Sequence, residues 1–496
     1  MKISWSSAVV AVLALVLASI TAGPANANSP RDRDGFFVLT PVAADVGQSI
    51  EHAPKADHSR EAKREVPLKA GASAPGGNKP RTTADGALQT SAPNPAATIT
   101  PITGGVARDG VGVGITPTYS DCCTPPDTNL AVGTLQVVQW VNLDFAAFDK
   151  TTGALVPGYP KAGNSIWAGF GTGCETNNDG DPIVKFDAQN NRWIMTQFSV
   201  TTTPYLQCVA VSQTADFTTT AWNRYAFSFG TSFPDYPKVG IWPDGYYFSF
   251  NMYRNGATFM GAAACAFDGR TARAGGAATM QCHQFGTSVA SLLPGDLDGA
   301  TIATGTTALP PAGSPNYFAN FGSNALNIWK IHVDFANLAN STLTAAPTIA
   351  TAAFSTACGG GTCVPQSGTA QKLDSLGDRL MYRLAYRNFG TYESLVVTHS
   401  VKGSGTAATR WYELRKTGAD FGMSQQSSYA PDATYRWMGS AAQDKLGDLA
   451  LGRLQQPEPR PCGRLHLLVH DDVLQDQRRE LHLEHLHREL QVLDDL

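Results

Sequence analysis

A chain of 496 residues with 48 glycines, 30 prolines and short alternating apolar runs exceeds an ordinary single domain and suits a repeat architecture or a large barrel. Its net charge of −4 supplies no field for gripping nucleic acid and no basic patch for a membrane surface. At this size the chain can bury ample core.

The first 27 residues predict a secretory signal: Lys2, an apolar run from Ala8 to Ile20, then Ala25-Asn26-Ala27 as the small-residue cleavage pattern. Export and cleavage before Asn28 follow. No later apolar run approaches membrane-spanning length, so a soluble, secreted or periplasmic mature chain is expected. Residues 28–105 are rich in Ala, Pro, Gly, Thr and Lys and show no sustained period, which predicts a disordered spacer or a propeptide.

Strand and turn texture begins near Thr116 and continues through residues 106–452 as the predicted folded domain. Asp127 precedes Leu130-Ala131-Val132 and Val137 to Asn142, and Phe145 to Asp149 follows. Asp181 precedes Ile183-Val184, then come Trp193 to Phe198 and Cys208 to Ser212. In the third unit, Asp235 precedes a strand from Lys238 to Trp242. The turn Pro243-Asp244-Gly245 then leads into the aromatic strand Tyr246 to Phe250. Asp127, Asp181 and Asp235 are evenly spaced at 54 residues, about the length of a four-stranded unit. Less regular units follow: Asn316 to Phe321 with Ala325 to His332, Asp378 to Tyr386 with Glu393 to His399, and Met438 to Ala442 with Leu449 to Leu451. No segment before Gly452 sustains helical spacing for three turns. These units predict an all-β β-propeller of six visible blades, seven if complete, with short protected edges.

Nine cysteines in an exported chain favour disulfides, with Cys358–Cys363, Cys265–Cys282 and Cys174–Cys208 as candidate pairs. Adjacent Cys122 and Cys123 are expected to bridge to separate partners.

The texture breaks at Arg453. Residues 453–496 hold five of the ten histidines, many acids and arginines, and no aromatic residue other than His. Read one base out of frame, permitted codons return β-type text, so a frameshift that removes the last blade is expected. On that reading the tail histidines have no functional meaning.

The text PPDTNLAVG, DPIVKFD with RW, FPDYPKVGIWPDGYY, DRLMYRLAYRN, RWYELR and YRWMGSAAQD resembles a family of secreted bacterial β-propeller proteins, similar in outline to sialidase-like propellers. The resemblance covers roughly Pro117 to Gly452 and implies the fold. It brings no established activity with it. The Ser-x-Asp-x-Gly-x-x-Trp turn of sialidase blades does not occur, so the likeness to sialidases is one of fold alone.

The densest polar cluster, Asp378 to Glu413, carries Arg379, Arg383, Arg387 and Arg410 beside Tyr382 and Tyr412. In a regular strand Arg379 and Arg383 share one face and Tyr382 and Tyr386 the other. Arginines converging on an axis can grip a carboxylate or sulfate. The competing reading pairs them with the acids that begin each unit, Asp127, Asp181, Asp235 and Asp378, as bonds between blades. Candidate catalytic carboxylates are Asp181, Asp235, Glu393 and Glu413. No metal site or cofactor is expected; Asn177 to Asp181 has oxygen atoms suited to calcium, but a polar turn is the better reading. Trp193, Trp242, Trp411 and Trp437 read as packing residues.

The leading function is therefore an exported monomer that binds an extracellular glycan or other anionic polymer at its axis, without nucleic acid or membrane insertion. A sialidase-like glycoside hydrolase is the alternative and needs two carboxyl groups at one of the two usual separations, roughly 5 or 6.5–9.5 Å. A structural envelope protein without catalysis is the third.

Overall fold

The computed structural model describes residues 35–53, 85–89, 106–111, 127–297, 308–366, 368–443, 447–455 and 466–469. Four short strands come first in the chain: β1 (Phe36–Leu39), β2 (Pro41–Gly47), β3 (Leu88–Gln89) and β4 (Val106–Asp109). The expected signal at 1–27, Cys122 and Cys123, and tail residues 456–465 and 470–496 lie outside the described residues.

Alternating side chains bounded by Gly, Asn and Asp turns then build one sheet after another. The first contains β5 (Asn129–Val132), β6 (Gln136–Val141), β7 (Asp144–Asp149) and β8 (Lys161–Ala162) in that order. The second contains β9 (Ile183–Asp187), β10 (Arg192–Ser199), β11 (Tyr205–Ser212) and β12 (Trp222–Gly230). The third contains β13 (Ser232–Ile241), β14 (Tyr246–Arg254), β15 (Thr258–Phe267) and β16 (Met280–Gln284). All three are antiparallel meanders. Next come β17 (Leu293–Asp296), β18 (Asn316–Gly322), β19 (Ala325–His332), β20 (Thr342–Ala345) and β21 (Ile349–Ala350), with β20 and β21 both paired to β19. A hairpin of β22 (Thr362–Gln366) and β23 (Thr369–Asp374) leads to β24 (Leu380–Asn388), β25 (Glu393–Lys402), β26 (Ala407–Lys416) and β27 (Gly422–Tyr429). Last are the pair β28 (Arg436–Gln443) and β29 (Leu449–Gln455), and β30 (His466–Val469), which pairs with β4.

The expected hairpin around Pro243 is present: Ile241 faces Tyr246, and the Trp242 amide donates to the Gly245 carbonyl at 3.0 Å. Burial explains the composition. Every residue of β6 and of β11 is buried, so both faces of these sheets pack against other protein, and polar Gln207 must bond internally to the Gln197 carbonyl at 3.2 Å. Trp193, Trp242 and Trp437 are core residues, whereas Trp411 is half-buried. The three expected disulfides, Cys174–Cys208, Cys265–Cys282 and Cys358–Cys363, are all formed.

Strands also occur within residues 35–53 and 85–89, inside the stretch expected as a disordered spacer or propeptide. β2 adds to the outer edge of β12, β1 to that of β16, and β3 to that of β27. A composition average over residues 28–105 hides the short apolar runs Phe36-Phe37-Val38-Leu39 and Pro41-Val42-Ala43 that make this possible.

The first strands of successive sheets lie side by side: β5 beside β9, β9 beside β13, β13 beside β17, β17 in parallel pairing with β24, and β24 beside β28. Asn129 ties the first two, accepting from the Val184 amide at 2.7 Å and donating to the Pro182 carbonyl at 2.7 Å. Gly240 allows β13 to approach β17, because a Cβ there would stand 2.4 Å from the Gly295 carbonyl oxygen. Gly240→Ala should force the two backbones apart and cost about 1–3 kcal/mol in a urea unfolding curve. An unchanged midpoint would contradict this close approach.

Candidate functional site

The 54-residue repeat has a backbone counterpart. Asp127, Asp181 and Tyr236 take left-handed φ values of 45°, 43° and 54° as the chain enters three neighbouring first strands. Asp tolerates that conformation better than most residues, which suits it to the first two entrances; at the third the left-handed residue is Tyr236, one position after Asp235. In β13 the register shifts between Asp235 and Lys238, so Tyr236 bulges from the sheet and Asp235 and Lys238 are turned towards Asp181.

β24 completes the cluster. Its pairing with β25 shifts register between Met381 and Ala385, which breaks the expected alternation of Arg379/Arg383 against Tyr382/Tyr386. Tyr382 and Arg383 both reach other first strands: the Tyr382 hydroxyl donates to the Val239 carbonyl in β13 at 2.7 Å, and Arg383 donates to the Leu130 carbonyl in β5 at 3.4 Å. Arg379 holds Asp378 with two bonds of 2.8 and 3.0 Å and lies 4.7 Å from the Tyr236 ring centre. The Lys238 ammonium sits 3.6 Å from the same ring centre. Below these groups, Lys185 of β9 makes a fully buried ion pair with Asp296 of β17, whose other oxygen accepts the Ile241 amide of β13 at 3.0 Å.

Asp181, Asp235, Tyr236, Lys238, Asp378, Arg379, Tyr382 and Arg383 are all half-buried, so the group is set into the protein but reached by solvent. Desolvation is the main cause that raises the Asp181 carboxyl above the usual range, against the opposing pull of Lys238 and the Tyr236 amide. Desolvation also leads for Asp235, and the neighbouring Asp181 carboxylate adds to it. Arg379, Lys238 and the Tyr236 amide oppose both, and Asp235 is pushed up to about 7. Two neighbouring carboxyl groups whose hold on a proton is raised by burial are equipped for proton transfer and for hydrogen bonding to hydroxyl groups.

The other candidates from the sequence lie elsewhere. Glu393 is buried in the β24–β26 region, held by Lys416 at 2.7 Å and the Tyr386 hydroxyl at 2.8 Å. Glu413 is fully buried and accepts from Arg415, Gln425 and Gln443 at 2.7–2.9 Å. Arg410 is fully buried in an ion pair with Asp85, and Tyr412 stacks on His399 with its hydroxyl 2.9 Å from Nε2. His399 is held neutral, pushed down to about 3 by burial first and by Arg410 second. Arg387 pairs in register with Ser394, at the end of β24 away from Asp378. The Asp378–Glu413 cluster is thus divided by the pleat and by chain reversal between the first-strand entrances and a sheet interior. Tyr236, Lys238, Lys185 and Asp296 were not singled out from sequence for this cluster. The signal for Lys185 was a lone lysine inside the apolar strand text IVKF.

Among the described residues no group of three metal-ligating side chains occurs. Asp179 accepts the Val200 and Thr201 amides at 2.6 and 2.8 Å. A cavity of about 370 Å³ beside Phe259, Met260 and Phe285 includes none of the cluster.

The chain matches no family model and no curated protein. Among solved structures, the crystal structure of endo-arabinase from Bacteroides thetaiotaomicron shows a likeness at a TM-score of 0.26 and 11% identity, over 58% of this chain and 92% of that one. A likeness at that level carries no argument about this chain.

Proposed function

We propose that the successive sheets are blades of a propeller and that the protein binds an extracellular glycan or other anionic polymer where the first strands begin. The ordered contact of β5, β9, β13, β17, β24 and β28 supports the first part. Three disulfides suit an oxidising, extracellular setting. The observation that carries the second part is the convergence of Asp181, Asp235, Lys238 and Arg379 beside the Tyr236 and Tyr382 rings in a half-buried, solvent-reached position. Carboxyl groups bond sugar hydroxyls, cations bond acidic substituents, and aromatic faces cover sugar rings.

A panel of neutral and acidic polysaccharides tests this by direct binding. We expect saturable binding of at least one, weakened about tenfold or more by Arg379→Ala. Binding equally tight in the variant would remove the site from the axis.

Hydrolysis is the second reading, favoured by the proton affinity of Asp235. If it holds, Asp235→Asn abolishes turnover while binding persists. Turnover also falls as pH rises past about 7, because the acid form of Asp235 is lost. A rate that keeps rising above that pH would exclude Asp235 as the acid.

A further inference from the structure

We propose that residues 35–53 are a strand donor, and that the outer edges of β12 and β16 form a strand-accepting surface built for this segment of the same chain. Two exposed edges on neighbouring sheets would each present a row of unpaired amides and carbonyls. One continuous piece covers both: Phe36 to Leu39 align with His283 to Met280, and, after Thr40 alone, Pro41 to Gly47 align with Phe227 to Trp222. This is strand addition carried out within one molecule.

Side chains fix the register. Phe36 is 4% exposed and meets the His283 ring edge-on at 5.1 Å. Arg224 grips Asp45 with bonds of 2.8 and 2.6 Å while its third nitrogen donates to the Ile166 and Ala168 carbonyls at 3.2 and 2.8 Å. Gly47 lies against that guanidinium so closely that a Cβ would stand 2.5 Å from its Nε. Beyond the strand, Ile50 is 2% exposed, and the Lys161 ammonium donates to the Glu51 and Ala53 carbonyls at 3.3 and 2.5 Å. The contacts described between residues 35–53 and the sheets are noncovalent, and their partners there lie more than a hundred positions further along the chain. The exported protein must therefore keep this segment, and maturation that removed it would uncover both edges.

The test uses the full-length chain with a site-specific protease sequence inserted between Lys55 and Lys79, cut after folding. We expect the cut protein to run as a monomer with the N-terminal piece still attached through gel filtration. Arg224→Ala, cut in the same way, should shed the piece and self-associate, and a synthetic peptide of residues 34–53 should rebind and restore the monomer. Shedding from the unmutated protein with unchanged melting temperature and mass would overturn the proposal. Equal retention in Arg224→Ala would overturn the part assigned to Asp45 and Arg224. A dimer in the uncut protein that exchanges labelled N-terminal pieces between copies would overturn the assignment to the same chain.

Discussion

Arg410→Ala should lower the free energy of unfolding by about 3–5 kcal/mol while leaving the proposed ligand binding at the first-strand entrances unchanged. The Arg410 side chain is fully buried and the Asp85 carboxyl nearly so, at 0% and 3% exposure. Removing the guanidinium strands a carboxylate in the interior, and it also deprives Ser428 at 2.5 Å and Gln426 at 3.0 Å of their donor. The pair fastens residues 85–89 to the outer edge of β27, so its loss should also free that segment. Arg410→Met combined with Asp85→Leu separates the two contributions: with both charges gone, most of the stability should return. Urea unfolding curves measure all three forms. A loss below about 1 kcal/mol for the single variant would show that the pair is screened by solvent after all.

Asp296→Ala is expected to be comparably damaging, again by about 3–5 kcal/mol, for a different architectural reason. Its carboxylate joins three first strands at once, receiving Lys185 from β9 and the Ile241 amide from β13 while β17 itself pairs with β24. Alanine leaves a buried ammonium and a buried amide without that acceptor. Asp296→Asn keeps an acceptor for the Ile241 amide and should recover part of the loss. Denaturant unfolding of the two variants side by side checks the order. If asparagine and alanine are equally destabilised, the charge on Asp296 carries the whole effect and the amide bond none.

Much of the fold is written locally. Pro243-Asp244-Gly245 between two apolar runs specifies its hairpin by turn chemistry alone, and Asp127, Asp181 and Tyr236, the residue after Asp235, mark backbone entrances that recur in space. The three described disulfides were legible because each joins cysteines within 34 residues of one another. The N-terminal strands were not legible, because a four-residue run such as Phe36 to Leu39 becomes a strand only when a distant edge accepts it. The site was half legible. Asp181, Asp235, Arg379, Arg383 and Tyr382 come together, but Glu393, Glu413, Arg410 and Tyr412 were grouped with them by nearness in sequence. Two chain reversals carry that second group away, and the register shift in β24 overrides strict alternation for Tyr382 and Arg383.

Whether the Asp181–Asp235 pair serves a ligand rather than the fold is tested most directly by a thermal melt of Asp235→Asn against the unmutated protein at pH 8. The sign follows from linkage. A carboxyl whose folded value is raised binds its proton more tightly when folded, so stability is greatest below about 4. It declines as pH rises towards about 7 and stays low above it. The full shift corresponds to about 4 kcal/mol, and partial exposure of Asp235 reduces the expected gain to about 1–3 kcal/mol. Asparagine should therefore melt higher than aspartate at pH 8, and the difference should shrink towards pH 4. A lower melting temperature for Asp235→Asn at pH 8 would contradict the account, because it would make the ionised carboxylate a bond that holds the first strands together.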